Sequence, residues 1–172
     1  MIHCDLVLCV GCTMCEVACS SFHFGAVSPG LSRIRVAKLE DKGIDMAIAC
    51  LSCAEKPCLD CPTDALCVGE NGLICLDEGL CIACLACVEN CPVGAVGFDE
   101  NEPLFCDLCD GATSCVTACP SGALTFREEH REVPLEAFMT SSGRPNQKRA
   151  LYVGVQAEPI REGWKNGARI DS

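Results

Sequence analysis

The stretch Cys81-Ile82-Ala83-Cys84-Leu85-Ala86-Cys87-Val88-Glu89-Asn90-Cys91-Pro92 sets four thiols at C-x2-C-x2-C-x3-C and follows the last with proline. Three further groups of four surround it. Upstream stand Cys50, Cys53, Cys58 and Cys61, spaced C-x2-C-x4-C-x2-C. Before them come Cys9, Cys12, Cys15 and Cys19, spaced C-x2-C-x2-C-x3-C. Downstream stand Cys106, Cys109, Cys115 and Cys119, spaced C-x2-C-x5-C-x3-C. Three groups share a tail: Pro62-Thr63-Asp64-Ala65-Leu66, Pro92-Val93-Gly94-Ala95-Val96 and Pro120-Ser121-Gly122-Ala123-Leu124. The first group departs, with Ser20 after Cys19. The chain is an internal repeat of one small unit.

Composition agrees. Of 172 residues 19 are cysteine, while aromatic residues make up only 5%. A core so poor in large rings needs other fastening, by disulfides or by metal. Met1 to Val10 shows no basic region followed by a long apolar stretch, so no leader is read there and the cytoplasm is the expected compartment. Thiols stay reduced in that compartment, which favours metal over disulfides. No apolar run approaches the ~20 residues of a membrane span. The net charge of −11 argues against nucleic acid. No G-x-G-x-x-G, P-loop or G-x-S-x-G occurs, so no bond chemistry on a substrate is expected of this chain.

The unit has a readable chemistry. Three cysteines two residues apart lie on a loop that curls around one centre and fills three corners of a tetrahedron of thiolates. A [4Fe–4S] cube needs such a tetrahedron, and the cysteine before proline is carried away from the loop toward a neighbouring cube. Proline after it suits the first position of a short helix. The Gly-Ala pair is small enough for backbone to approach a bulky group, and the apolar residues that follow predict a short strand. Zinc remains the alternative, chiefly for the irregularly spaced Cys50, Cys53, Cys58 and Cys61.

Cys81 to Pro92 matches the bacterial ferredoxin signature in full. The order of four groups over residues 1–126 resembles the four-cluster electron-transfer subunits of molybdenum and tungsten oxidoreductases. Phe22-His23-Phe24-Gly25 and Ser32-Arg33-Ile34-Arg35-Val36 are most similar to the small subunits paired with tungsten aldehyde oxidoreductases. The second group departs from that pattern, with two residues rather than the usual three before Cys61.

The resemblance implies four [4Fe–4S] clusters. Their ligands would be Cys9, Cys12, Cys15 and Cys119; Cys106, Cys109, Cys115 and Cys19; Cys50, Cys53, Cys58 and Cys91; and Cys81, Cys84, Cys87 and Cys61. It implies an α+β fold of two interleaved bacterial-ferredoxin-like dicluster modules. The outer module would span about 1–49 and 99–126, and the inner about 50–98. The implied role is an electron-transfer subunit in a hetero-oligomer. Its partners would be a large pterin-containing catalytic subunit, with aldehyde oxidoreductase the best single reading, and a further redox subunit or ferredoxin. Alternatives are a free polyferredoxin, a hydrogenase, carbon monoxide dehydrogenase or formate dehydrogenase wire, and a zinc-structured interaction protein.

Charge divides the chain. Residues 1–126 hold five basic and seventeen acidic residues, whereas residues 127–172 hold eight and seven. The cysteine-free segment 127–172 is too short for a core of its own. A short helix is expected over Glu132 to Met139, a loop over Ser141 to Pro145, and a strand or extended arm over Arg149 to Val155. This extended tail is expected either to wrap the cluster core or to reach onto a partner, with partner contact the favoured reading. Ile2 to Val7 reads as a strand, and Cys67 and Cys75 flank the Gly69-Glu70-Asn71-Gly72 turn of a hairpin. Cys4, Cys67 and Cys75 are expected to be small buried hydrophobes. His3, His23 and His130 are too scattered to suggest a ligand set.

Overall fold

A computed structural model describes residues 1–128, 138 and 143–167. Loops that must present a cysteine every third residue leave room only for short elements. The result is a small mixed α/β fold. Its strands are β1 (Ile2–Cys4), β2 (Arg35–Leu39), β3 (Ile44–Ile48), β4 (Leu66–Val68), β5 (Ile74–Leu76), β6 (Gly97–Asp99), β7 (Glu102–Leu104) and β8 (Leu124–Phe126). Its helices are α1 (Met14–Phe24), α2 (Ala86–Asn90), α3 (Ser114–Thr117) and α4 (Pro145–Lys165). The strands pair antiparallel in twos: β1 with β8, β2 with β3, β4 with β5 and β6 with β7.

The strand expected after each Cys-Pro tail forms, as β4, β6 and β8. Proline itself does not open a helix. It opens a turn closed by the N–H of Asp64, Gly94 or Gly122 onto the carbonyl of Cys61, Cys91 or Cys119, at 3.2, 3.3 and 3.3 Å. Those three closing residues are left-handed, with φ of +54°, +64° and +67°. The glycine of the motif thus answers a backbone requirement. Where Ser20 replaces proline, nothing stops the helix: α1 runs on to Phe24, while α2 and α3 are a turn or so long.

The longest strand pair, β2–β3, carries the core. Ala37, Ile44, Met46, Ala47 and Ile48 are buried on it. Glu16 of α1 accepts the Val36 N–H at 2.7 Å. That bond satisfies an edge donor that β3 cannot reach.

The cysteine-free segment corrects one expectation. Residues 149–155 are not a strand or an extended arm but part of α4, which lies across β2 and β3. Leu151-Tyr152-Val153-Gly154-Val155 has the composition of a strand. Pro145 at the first helical position and Gln147, whose side chain accepts the Arg144 N–H at 2.9 Å, nevertheless start a helix. That helix buries Lys148, Tyr152, Val153 and Ala157 along one stripe. Tyr152 has 0% exposure and meets Phe138 edge to face, with ring centroids 5.5 Å apart. The helix expected over Glu132 to Met139 lies outside the described residues apart from Phe138, as does His130.

Cys67 and Cys75 bring a separate correction. They stand opposite one another in the expected β4–β5 hairpin, but both are exposed. Leu66 is the buried residue of β4, and the two-residue period then sends Cys67 outward. Cys4 is buried as expected. No helix among the described residues is long and apolar enough to cross a membrane.

Tyr152→Ala removes a fully enclosed ring and is expected to cost about 3–5 kcal/mol, as for other buried aromatic truncations. Denaturant unfolding should show the loss, and amide exchange should show it concentrated in α4 and β2–β3.

Candidate metal centres

All 19 cysteines are free. Two residues in each group give its loop its curl. The residue before the second cysteine (Gly11, Ser52, Ala83, Leu108) and the residue two before the third (Thr13, Lys56, Leu85, Thr113) are all left-handed, with φ between +42° and +66°. Seven of these eight carry a side chain, at a cost of about 1–2 kcal/mol each. Strain of this kind persists only where the surroundings hold it, and it clusters at functional sites. Its effect is to turn successive backbone N–H groups into a concavity suited to an anion.

Each loop hands its third cysteine to a helix or turn. Cys15, Cys87 and Cys115 lie in the first turn of α1, α2 and α3, and the fourth cysteine of each group follows four residues on, one helical turn away. The second group has only two residues between Cys58 and Cys61, and there the chain makes a 3-10 turn, Pro57–Leu59, in place of an α-helix. A 3-10 turn closes in three residues, so the shorter spacing is absorbed by tighter winding.

The structure brings cysteines of different groups together. Cys50, Cys53, Cys58 and Cys91 line one cavity, with Leu51, Ile74, Pro92, Val93, Ala95 and Val96 among its walls. Cys61, Cys81, Cys84 and Cys87 line a second, walled by Leu66, Leu76, Ile82, Leu85 and Phe98. Cys61 therefore reaches the loop of the third group despite its spacing. In the outer groups Cys115 has Cys109 and Cys19 as electrostatic neighbours, and Cys106 has Cys115. Cys15 has Cys9 and Cys115 as neighbours. Cys12 is exposed, and Cys119 is half-buried just beyond α3.

Several of these thiols are held protonated by burial, whereas hydrogen bonds lower Cys9, Cys61 and, against burial, Cys119. Burial pushes Cys15, Cys53, Cys58, Cys106 and Cys115 up to about 12, and neighbouring acidic groups push the same way. Burial likewise pushes Cys87 up to about 11. Cys9 is lowered by a bond from the Cys4 thiol, which is itself raised. Backbone donors also reach sulfur directly. The Arg33 N–H lies 3.2 Å from Cys19 Sγ, the Ala95 N–H 3.2 Å from Cys91 Sγ and the Ser52 N–H 3.5 Å from Cys50 Sγ. The donor set fits an iron–sulfur cluster: thiols, N–H groups aimed at sulfur, and apolar walls.

One constellation escaped the sequence reading. His23 Nε2 lies 3.0 and 3.1 Å from the two carboxylate oxygens of Asp107, and His23 Nδ1 lies 2.8 Å from the Cys19 carbonyl oxygen. Arg33 donates to the same carboxylate. Burial works against the Asp107 charge, but the Cys109 N–H at 2.9 Å, His23 and Arg33 outweigh it and hold the carboxyl below its ordinary range. The network ties α1 to the loop of Cys106 and Cys109. Its signal in the sequence was the pair of phrases around His23 and Arg33, which carry no cysteine. Asp107→Ala should remove one hydrogen bond at the Cys109 amide, about 1–1.5 kcal/mol. We expect its exchange protection to fall about tenfold, measured by amide hydrogen exchange.

Comparison with known proteins gives the arrangement its context. Residues 74–96 match the 4Fe-4S binding domain family. Over 105 residues the chain is 43% identical to the polyferredoxin-like subunit of aliphatic sulfonate oxidoreductase from Pyrococcus furiosus, covering 59% of this chain and 60% of that one. Over 117 residues it is 38% identical to the putative electron transport protein YsaA of Escherichia coli, covering 61% of this chain and 73% of that one. Over 104 residues it is 36% identical to the formate dehydrogenase iron-sulfur subunit of Wolinella succinogenes, covering 58% and 51%. Among solved structures, a chain of the BamBC active-site complex of benzoyl coenzyme A reductase aligns over 96% of both chains, at 25% identity and a TM-score of 0.45. The chain thus spans about half to three quarters of the length of these curated relatives, and the matched 4Fe-4S segment together with the 73% coverage of YsaA leads to one statement: the chain belongs to the family of [4Fe–4S] electron-transfer proteins.

Proposed function

We propose that the chain holds four [4Fe–4S] clusters and relays electrons between a catalytic subunit and a second redox carrier. The observation that carries this reading is the crossing of groups. Cys91 lines a cavity with Cys50, Cys53 and Cys58, while Cys61 lines one with Cys81, Cys84 and Cys87. By the same pattern Cys119 completes the set of Cys9, Cys12 and Cys15, and Cys19 completes that of Cys106, Cys109 and Cys115. The inner module would be residues 50–98, and the outer module residues 1–49 with 99–126. Bound in such cages, the clusters supply one-electron chemistry. The residues of the chain do the rest. Cysteines fix position, the N–H groups of Arg33, Ala95 and Ser52 stabilise charge on sulfur, and Leu66, Val93 and Phe98 keep water from the walls.

The partner we propose is a pterin enzyme of tungsten or molybdenum, with aldehyde oxidoreductase as the specific reading. Support comes from the phrases around His23 and Arg33 and from relatives that are subunits of sulfonate oxidoreductase and formate dehydrogenase. The face of α4 away from the core leaves Leu151, Val155 and Trp164 exposed, which suits contact with another subunit in a cytoplasmic hetero-oligomer. A free polyferredoxin is the second reading. What favours it is that α4 packs inward, so the segment beyond residue 126 no longer demands a partner. Co-purification of a large subunit with the intact chain separates the two.

Anaerobically prepared protein should carry about sixteen iron and about sixteen acid-labile sulfide per chain, without zinc. Crossing makes a sharper test. Cys58→Ala together with Cys91→Ala should perturb one cluster in the electron paramagnetic resonance spectrum. Cys87→Ala with Cys91→Ala should perturb two. The reverse result would refute the proposed ligand sets.

A further inference from the structure

Lys148 is only 6% exposed, in a chain of net charge −11. Among the described residues no carboxylate lies within ion-pair distance of it. Its ammonium donates instead to the backbone carbonyls of Glu89 and Cys91, the latter at 3.4 Å. Arg149 donates to the Gly94 carbonyl at 2.6 Å and likewise has no carboxylate within ion-pair distance among the described residues. The charged groups around Arg149 are Arg35, Glu16 and the Cys91 thiol, so another cation is among its neighbours. Lys56, which donates to the Cys53 carbonyl at 3.3 Å, also lines the cavity of Cys50, Cys53, Cys58 and Cys91.

A buried ammonium without a counter-charge is costly, and carbonyl dipoles bring no net charge to offset it. Lys56 is in the wall of the cavity of Cys50, Cys53, Cys58 and Cys91, and Lys148 and Arg149 hold the backbone of Cys91 and Gly94 beside it. The other inner cavity, that of Cys61, Cys81, Cys84 and Cys87, has no lysine or arginine in its walls. Glu78, Asp99, Glu100 and Glu102 line a cleft with Cys81 on its outer side. The placement of α4 is also firm. A side chain at Gly94 would come within 2.2 Å of the Pro145 carbonyl oxygen, so the helix start rests directly on the turn that follows Cys91.

We propose that Lys148 and Arg149 are fixed charges that raise the reduction potential of the cluster at Cys50, Cys53, Cys58 and Cys91 above that of the cluster at Cys61, Cys81, Cys84 and Cys87. The proposal rests on the four-cluster reading. Reduction adds one negative charge to a site, and a positive charge held close to it in a medium of low dielectric favours that form. Carboxylates beside the second cavity act in the opposite sense. The residues touch no substrate. They act through the field at Cys91.

The test is an anaerobic redox titration of the intact protein, followed by electron paramagnetic resonance, on wild type, Lys148→Met, Lys148→Arg and Arg149→Gln. Lys148→Met should lower the midpoint of one cluster by about 59 mV, a tenfold change in its reduced-to-oxidised ratio for one electron. The signal that moves should be the one that Cys58→Ser perturbs. Lys148→Arg, which keeps the charge, should hold the wild-type midpoint. Arg149→Gln, at a less buried site, should shift the same cluster in the same direction and guards against misfolding of the Lys148→Met variant. The proposal is overturned if every midpoint stays in place in protein that retains its iron, or if all clusters shift equally. Wild-type protein without iron and sulfide would instead overturn the four-cluster reading itself, and metal analysis tells the two failures apart.

Discussion

Everything in this molecule follows from holding sulfur atoms apart around a common centre with loops too short to relax. Side chains would close such gaps if they could, and thiols pressed together cannot all ionise. The chain resolves this with backbone. Left-handed residues at fixed places, Ser52, Lys56, Ala83, Leu85 and Thr113 among them, bend each loop outward around an interior it does not fill. The conformational cost is local, and what offsets it is a bound anionic group that accepts the converging N–H donors.

Deviations from the repeat show how the constraint is met by different means. The turn after Cys91 donates from Ala95 to sulfur, whereas Cys19, which has no proline behind it, receives the Arg33 N–H from a distant segment. Gly25 ends α1 in the left-handed region, and the fully buried Ser32 bonds the Ile34 carbonyl at 2.7 Å. The residues of the two short phrases around His23 and Arg33 thus form a support for one cysteine. The second group trades an α-turn for a 3-10 turn. One sulfur position is reached by two backbone routes.

The cysteine groups, the strand after each Cys-Pro tail, the β4–β5 hairpin and the buried strand at Cys4 were legible in the sequence, because spacing and turn residues are local signals. Three features were not. The helical state of residues 149–155 depended on a core stripe of Lys148, Tyr152, Val153 and Ala157, and a run of β-branched and aromatic residues hid it. The outward direction of Cys67 and Cys75 depended on which face of a three-residue strand was covered. The joining of His23, Arg33 and Asp107 spans |i−j| of 74 and 84, and no local pattern encodes it.

The pairing of β1 with β8 has a consequence for biosynthesis. Residues 2–4 find their strand partner only at 124–126. On the ribosome the middle of the chain can therefore close while the opening strand still waits, exposed, for a segment not yet made. Closure of this strand pair thus has to wait until residues 124–126 have been made.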